Sequence, residues 1–333
     1  VAEILDLAKR GMSLIYGPPG SGKTSLALRV ASRIADRVLW ISTSEGPELL
    51  RETAKRLAVD PAKFDFYDFP RAFQQDIARY ILDHAPSYGA VVVDSVEGVT
   101  GRQNIDVVAH SVLYQISKEK PVILVAEEET PRVAYIADHV VHVWYRKNSL
   151  GHVVRYIQLE KSRLMPPGPK YIFDIVEGFG LFYIKPLKFR GEENWVEDSG
   201  LGKVVLIKSG ICIHSESLKN IAELLSKIHS EAIFLKIGPW TSFRGVKTTP
   251  EKLFVAQTFH DFFKLAILLH TQQLRAKYIV VGGLLNIPDG EIDDYLSVLY
   301  AYTDYVGFIV FTAVGPKEET KRLEKYCEEV IYV

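Results

Sequence analysis

Eight consecutive residues, Gly17-Pro18-Pro19-Gly20-Ser21-Gly22-Lys23-Thr24, constrain this chain more than any other stretch. An apolar run, Met12–Tyr16, leads into them, and a helical pattern over Lys23–Ile34 follows at once. Glycines let successive main-chain N–H groups converge on one point, and the N-terminal end of the next helix adds its positive dipole there. The spacing G-x-x-x-x-G-K-[ST] is the one in which such a loop cradles phosphate oxygens. The ligand expected is ATP with Mg²⁺. Lys23 should reach the β- and γ-phosphates, with Ser25 beside it on the first helical turn, and the Thr24 hydroxyl should ligate the metal.

A strand, a loop and a helix in that order belong to an alternating chain. Further apolar runs at Val38–Ser42, Phe64–Asp68, Ala90–Asp94, Val122–Ala126 and 140–145 are separated by helical patterns such as Gln74–His84. The fold class expected is α/β, with a mainly parallel, twisted sheet. From 152 the pattern changes. Segments 152–160, Tyr171–Val176 and 181–184 alternate apolar with polar residues across proline- and glycine-rich turns, which predicts a β-meander closing the first domain. The acidic, glycine-bounded stretch 191–200 reads as a linker. The domains expected are therefore 1–190, the linker 191–200, and a second, smaller α/β domain over 201–333.

In that second domain the strand candidates are 203–208, Ala232–Ile237, 278–281, 307–312 and 330–333. An offset of 192 sets Leu14-Ile15 on Leu206-Ile207, and an offset of 188 sets Val91-Val92-Val93 on Ile279-Val280-Val281. The apolar rhythm repeats but the polar chemistry does not, because Gly22, Lys23 and Thr24 fall on His214, Ser215 and Glu216, and Asp94 falls on Gly282. Either the second half is a degenerate copy without a phosphate loop, or two doubly wound domains share a rhythm by convergence.

The formal net charge is −1, and 25 Lys+Arg against 22 Asp+Glu up to Arg190 leave 15 against 19 beyond it. Neither half is a basic footprint, so nucleic acid is disfavoured as a partner. No apolar run approaches the length of a membrane span. Residues 1–10 carry Glu3 and Asp6 where a signal peptide would be apolar, so the expected location is cytoplasmic. Cys212 and Cys327 fit no metal spacing and are expected as reduced core thiols.

Other candidates complete the site. The strand Ala90–Asp94 ends in a carboxylate suited to orient the Mg²⁺ shell, so Thr24 and Asp94 are the expected metal residues. Ser95, not a glutamate, follows Asp94, so either a water-activating base comes from elsewhere or hydrolysis is poor, and Glu45, just past Val38–Ser42, is placed to supply that base.

With these parts in hand, the chain resembles the RecA/RadA/KaiC family of P-loop ATPases from Val1 to about Ile184. Residues 17–24 match its Walker A loop, 91–95 (VVVDS) its Walker B strand, and 41–46 (ISTSEG) the segment carrying its catalytic glutamate. The stretch 122–128 (VILVAEE) is similar to the sensor strand of the KaiC branch, with the sensing side chain on Glu128. Residues 136–143 (IADHVVHV) and Lys161-Ser162-Arg163 resemble that branch's A-D-x-V and K-x-R motifs. The resemblance implies a RecA-like core, ATP bound between subunits of a homo-oligomer, and Lys161 and Arg163 reaching a neighbour's γ-phosphate. The alternative is that these two are exposed charges on an edge strand. Glu128 in place of the recombinase amide, a segment of only ten residues over 129–138, and no helix-hairpin-helix module argue against DNA strand exchange. A DNA-repair accessory role, and a nucleotide-dependent interaction switch with little turnover that engages a protein partner through the second domain, remain as alternatives to an ATPase that drives a conformational or assembly switch.

Three features read as structure. His139 and His142 point to opposite faces of a strand and do not make a metal site with His152. Phe259, Phe262, Phe263, Ala266 and Leu269 follow helical spacing and predict a core face. Residues 239–245 (PWTSFRG) form a loop, with Trp240 and Arg244 as candidates for recognition.

Overall fold

The computed structural model describes residues 7–69, 74–99, 108–127, 132–184, 210–215, 218–238, 250–314, 317–327 and 329–332. The chain forms two compact units. One is Val1–Tyr145 with Arg155–Tyr183, and the other is Arg146–Val154 with Ile184–Val333. The division therefore falls ahead of residue 190, and a short segment inside the expected first domain goes with the second unit. The linker expected at 191–200 lies outside the described residues.

In the first unit the strands are β1 (Met12–Tyr16), β2 (Val38–Ser42), β3 (Phe64–Asp68), β4 (Ala90–Asp94), β5 (Val122–Ala126), β6 (His139–Lys147), β7 (Val153–Ser162), β8 (Tyr171–Val176) and β9 (Gly180–Ile184). They form one sheet in the order β3-β2-β4-β5-β1-β6-β7-β8-β9. Pairing is parallel from β3 to β6, and β8 runs antiparallel to β7. Every residue of β1, β2, β4 and β5 is buried, because helices cover both faces. Ile15, Trp40, Val92 and Val125 pack with helices α1 (Lys23–Ile34) and α2 (Pro47–Arg56) through Leu26, Val30, Leu50 and Ala54. Their sequence neighbours Leu14, Leu39, Val91 and Leu124 turn the other way, onto Ile77 and Ile81 of α3 (Gln74–His84) and onto Val112 and Leu113. That alternation is the two-residue period of a strand, here apolar on both sides.

The second unit carries β10 (Gly210–Ser215), α4 (Leu218–Ser226), β11 (Ala232–Ile237), β12 (Leu253–Ala256), α5 (Phe259–His270), β13 (Tyr278–Gly282), α6 (Asp289–Ala301), β14 (Phe308–Val314) and β15 (Glu329–Tyr332). Its sheet is parallel in the order β12-β11-β13-β14-β10-β15. Adding nine to each strand number of the series β3-β2-β4-β5-β1-β6 reproduces it. The offset of 188 carries β4 onto β13 residue for residue. The offset of 192 needs correction. The strand equivalent to β1 is Gly210–Ser215 by its place between β14 and β15, whereas 203–208 lies outside the described residues. Six residues, 17–22, separate β1 from α1, but only 216 and 217 separate β10 from α4.

The segment 146–154 belongs to this unit because α6 holds it. The Arg146 guanidinium meets Asp294 at 2.8 Å, and the Asn148 amide donates to the Tyr295 hydroxyl at 2.6 Å. His152 Nδ1 lies 2.9 Å from that same hydroxyl, and Ser149 Oγ donates to Glu291 at 2.7 Å. On α5, the residues expected at its core face, Phe259, Phe262, Phe263, Ala266 and Leu269, are buried. A reciprocal capping box between Thr258 and Asp261 starts this helix.

Cys327 is not the reduced thiol expected, because it is disulfide-bonded, and the sequence holds one other cysteine, Cys212 on β10. The two are distant in sequence, but β10 pairs with β15 so that Cys212 lies opposite Val330, three residues from Cys327. On β6, His139 and His142 face opposite ways: His139 Nδ1 is 3.0 Å from Ser162 Oγ, whereas the His142 ring stacks on Tyr16 at 4.5 Å. The loop 239–245 lies outside the described residues. No helix among the described residues is long and apolar enough to cross a membrane.

Candidate functional site

The glycine-rich loop begins where β1 ends. Gly17, Gly20 and Gly22 all adopt positive φ, at 146°, 75° and 103°. A Cβ built on Gly17 would stand 1.8 Å from the Val143 carbonyl oxygen of β6, so no other residue fits there. Gly22 caps α1 in the left-handed conformation that glycine tolerates at little cost. Pro19 and Gly20 are exposed at the tip, Pro18 and Ser25 are half-buried, and Ser21 is buried with a hydroxyl that makes no protein hydrogen bond. Lys23 is buried and folds back so that its ammonium donates to the Pro18 carbonyl at 2.9 Å. A buried ammonium held by one neutral carbonyl, an orphaned hydroxyl and a loop built around glycine make a cradle that fits a polyphosphate anion.

Parallel pairing through β5 brings the tip of β4 alongside this loop, and the Asp94–Ser95 peptide bond there is cis. Thr24 Oγ1 donates to Asp94 Oδ2 at 2.9 Å. A hydroxyl and a carboxylate in contact at a helix start are oxygen donors suited to Mg²⁺, the carboxylate acting directly or through water. Burial pushes the Asp94 carboxyl up to about 6; the Thr24 hydrogen bond and Lys23 oppose that, and the Glu45 and Glu127 charges add to it. Burial likewise lowers the Lys23 ammonium against the pull of Glu127, Asp94 and Glu97.

The pH consequence has a definite sign. Because folding raises the Asp94 pKa, the unliganded fold gains stability from this group below its unfolded value of 3.8 and loses it as pH rises through about 6. Cation binding needs the ionised carboxylate and runs the other way. Mg²⁺-dependent nucleotide affinity is expected to fall up to about tenfold per pH unit below the Asp94 midpoint. Titrating affinity with and without chelator from about pH 5 to about pH 8 checks this, since the fall toward low pH should be confined to the series with free Mg²⁺.

Glu45 lies past the end of β2, where its N–H donates to Ser42 Oγ at 3.0 Å. β2 neighbours β4 with Ser42 opposite Asp94, and burial raises the Glu45 pKa above its ordinary value. A half-buried carboxylate there, close enough to act on Asp94, suits proton abstraction better than an exposed one.

Two other sets of residues stand apart from this cluster. Lys161 donates to the carbonyls of Ala134 and Tyr135 at 2.9 and 3.1 Å, and Arg163 pairs with Asp138 at 2.9 Å. Asp138 also accepts the N–H of Met12, the first residue of β1. Both cations therefore sit at the end of the sheet opposite the glycine loop, about 13 Å away along β1 at ~3.3 Å per residue. They do not reach the chain's own phosphate loop. Glu128, the expected sensor, lies outside the described residues.

Glu97 and Glu127 were not anticipated from sequence, though their charges act on Lys23. The signal that could have found Glu97 is its place one helical turn past the carboxylate that ends β4.

Comparison with known proteins places the loop in a family context. Residues 13–63 match the family described as "ATPase family associated with various cellular activities (AAA)". A stretch of 91 residues, 27% of the chain, is 31% identical to the DNA repair protein RadA of Treponema pallidum and spans 19% of that protein's length. The flagellar accessory protein FlaH from Methanocaldococcus jannaschii aligns with 54% of this chain and 94% of its own, at a TM-score of 0.45 and 12% identity.

Proposed function

From the premise that the first unit is a RecA/RadA/KaiC-like P-loop domain, we propose that this chain binds ATP with Mg²⁺ and hydrolyses it to ADP and phosphate, using turnover to switch conformation or assembly. The observation that carries the reading is the Thr24–Asp94 contact at 2.9 Å beside a buried lysine in a glycine cradle. Main-chain N–H groups of 20–24 donate to the β- and γ-phosphates, Pro18 and Pro19 having none to give, and Lys23 swings from the Pro18 carbonyl to pair with them. Glu45 takes a proton from the attacking water as its oxygen bonds to the γ-phosphorus. The bond from that phosphorus to the β–γ bridging oxygen breaks, and ADP leaves with its new charge countered by Lys23. When bound by Thr24 and Asp94, Mg²⁺ neutralises phosphate charge.

Lys161 and Arg163 fit this scheme only in trans. Their place at the far end of β1 suits cations presented to the nucleotide of a second copy of the chain, as an arginine finger is. The second unit shares the strand order of the first without the loop, and we infer a duplicated domain acting as a partner or assembly surface. A DNA-repair accessory role is the second reading, favoured by the RadA likeness.

Equilibrium ATP binding and phosphate release, each with and without Mg²⁺ and single-stranded DNA, test these readings beside sedimentation with and without ATP. Mg²⁺-dependent binding, DNA-independent phosphate release and an ATP-driven gain in mass are expected. Release that rises with DNA and binding to DNA that weakens with salt would move the assignment to the accessory role. No nucleotide binding at all would remove the proposal.

A further inference from the structure

One carboxylate reaches the nucleotide site from outside every motif. Glu97 sits on the short helical turn after β4, three residues beyond Asp94, and its Oε1 accepts the main-chain N–H of Glu127 at 2.8 Å. Glu127 is the first residue after β5, the strand between β4 and β1. The bond spans 30 residues of sequence, so no local turn creates it. It joins the C-terminal ends of β4 and β5, where open parallel sheets seat their ligands. A main-chain N–H held by an ionised carboxylate is roughly twice as strongly held as by a neutral acceptor. The charges on Glu97 and Glu127 both act on Lys23, the lysine of the phosphate loop, and β4 and β5 end on the same side of the sheet as that loop.

We propose that Glu97 is a positioning residue for ATP hydrolysis, fixing the start of the segment after β5 against the phosphate loop by holding the Glu127 N–H. This role rests on the ATPase reading above. Catalysis by fixed groups depends on placing them to within a fraction of an ångström, so a tether at the strand end acts on the chemical step more than on binding. The carboxylate has a second effect of opposite sign. A negative charge close to the phosphates weakens nucleotide binding, so position and charge predict different kinetic constants.

Three substitutions separate them. Glu97→Gln keeps a carbonyl acceptor at the same reach and loses the charge; Glu97→Asp keeps the charge and loses the reach; Glu97→Ala loses both. With kcat and KM for ATP measured on the full chain, Glu97→Gln is expected to hold kcat within about twofold of wild type while KM falls severalfold. Glu97→Asp and Glu97→Ala are expected to lower kcat about tenfold, the equivalent of one lost transition-state hydrogen bond. Glu97→Asp is the milder change for folding and keeps the test open if the alanine variant does not fold. Wild-type kcat in Glu97→Asp, or a Glu97→Gln variant as slow as Glu97→Asp, overturns the role. Wild-type protein in parallel distinguishes the failures. Absence of turnover in wild type ends the ATPase reading and this role together, whereas wild-type turnover with an unaffected Glu97→Asp ends only the role of Glu97.

Discussion

Replacing Lys23 with alanine is expected to leave ATP binding at least thirtyfold weaker and phosphate release at background. Lys23 is a buried cation in a cradle of main-chain amides, where charge pairing is screened far less than at a surface. Truncating one member of a desolvated, hydrogen-bonded charge pair costs about 2–5 kcal/mol, which is roughly thirtyfold to several thousandfold in affinity. The unliganded protein should feel little of this. The lysine makes one hydrogen bond, to the Pro18 carbonyl, and deleting it also removes a cation held out of water. The checks are a titration with labelled ATP and a thermal melt of each protein without nucleotide. A variant that binds ATP like wild type would mean that the loop does not grip phosphate as described.

Glu45→Gln is expected to do the converse, keeping ATP while kcat falls by about 10²–10⁴, the range that a positioned general base supplies. Glutamine preserves the shape beside Ser42 and Asp94 but cannot accept the proton of the attacking water. Removing a negative charge near the γ-phosphate should leave affinity equal or somewhat tighter. Because burial raises the Glu45 pKa, the acid limb of wild-type kcat should lie above the range of an ordinary glutamate. Single-turnover phosphate release across pH checks both statements, and unchanged turnover would take Glu45 out of the chemistry.

Much of this arrangement is legible in the sequence, for a physical reason. In a sheet covered on both faces, each central strand reads as a near-continuous apolar run, and β1, β2, β4 and β5 do so with only Ser13, Ser42 and Asp94 as polar members. The same criterion passes over the strand that takes the place of β1 in the second unit, Gly210–Ser215. The stretch 203–208 (KVVLIK) is richer in branched apolar residues than Gly210–Ser215 (GICIHS), so composition favours it over the strand that topology identifies. β12 escapes for another reason. It lies at the sheet edge, where Leu253 and Val255 are exposed, and it reads as a strand only through its alignment with β3. At the site, Lys23, Thr24, Asp94 and Glu45 follow from motif spacing, because each is fixed relative to a strand end. The Glu97–Glu127 clamp does not. It depends on the Glu97 carboxylate and the Glu127 main-chain N–H being brought together by the pairing of β4 with β5, and the one local mark, Glu97 a helical turn past Asp94, does not name its partner. Lys161 and Arg163 were legible as cations but not in their placement, which the Asp138 ion pair and the Ala134 and Tyr135 carbonyls determine.

The two-residue connection between β10 and α4 has a stoichiometric consequence. The strand plan is repeated, but the glycine-rich phosphate-loop spacing occurs once in the sequence, at 17–24. Saturation should therefore come at one nucleotide per polypeptide. Any sigmoidal response to ATP is then expected to pass from one chain to another, because the described residues hold one loop of this kind, at 17–24.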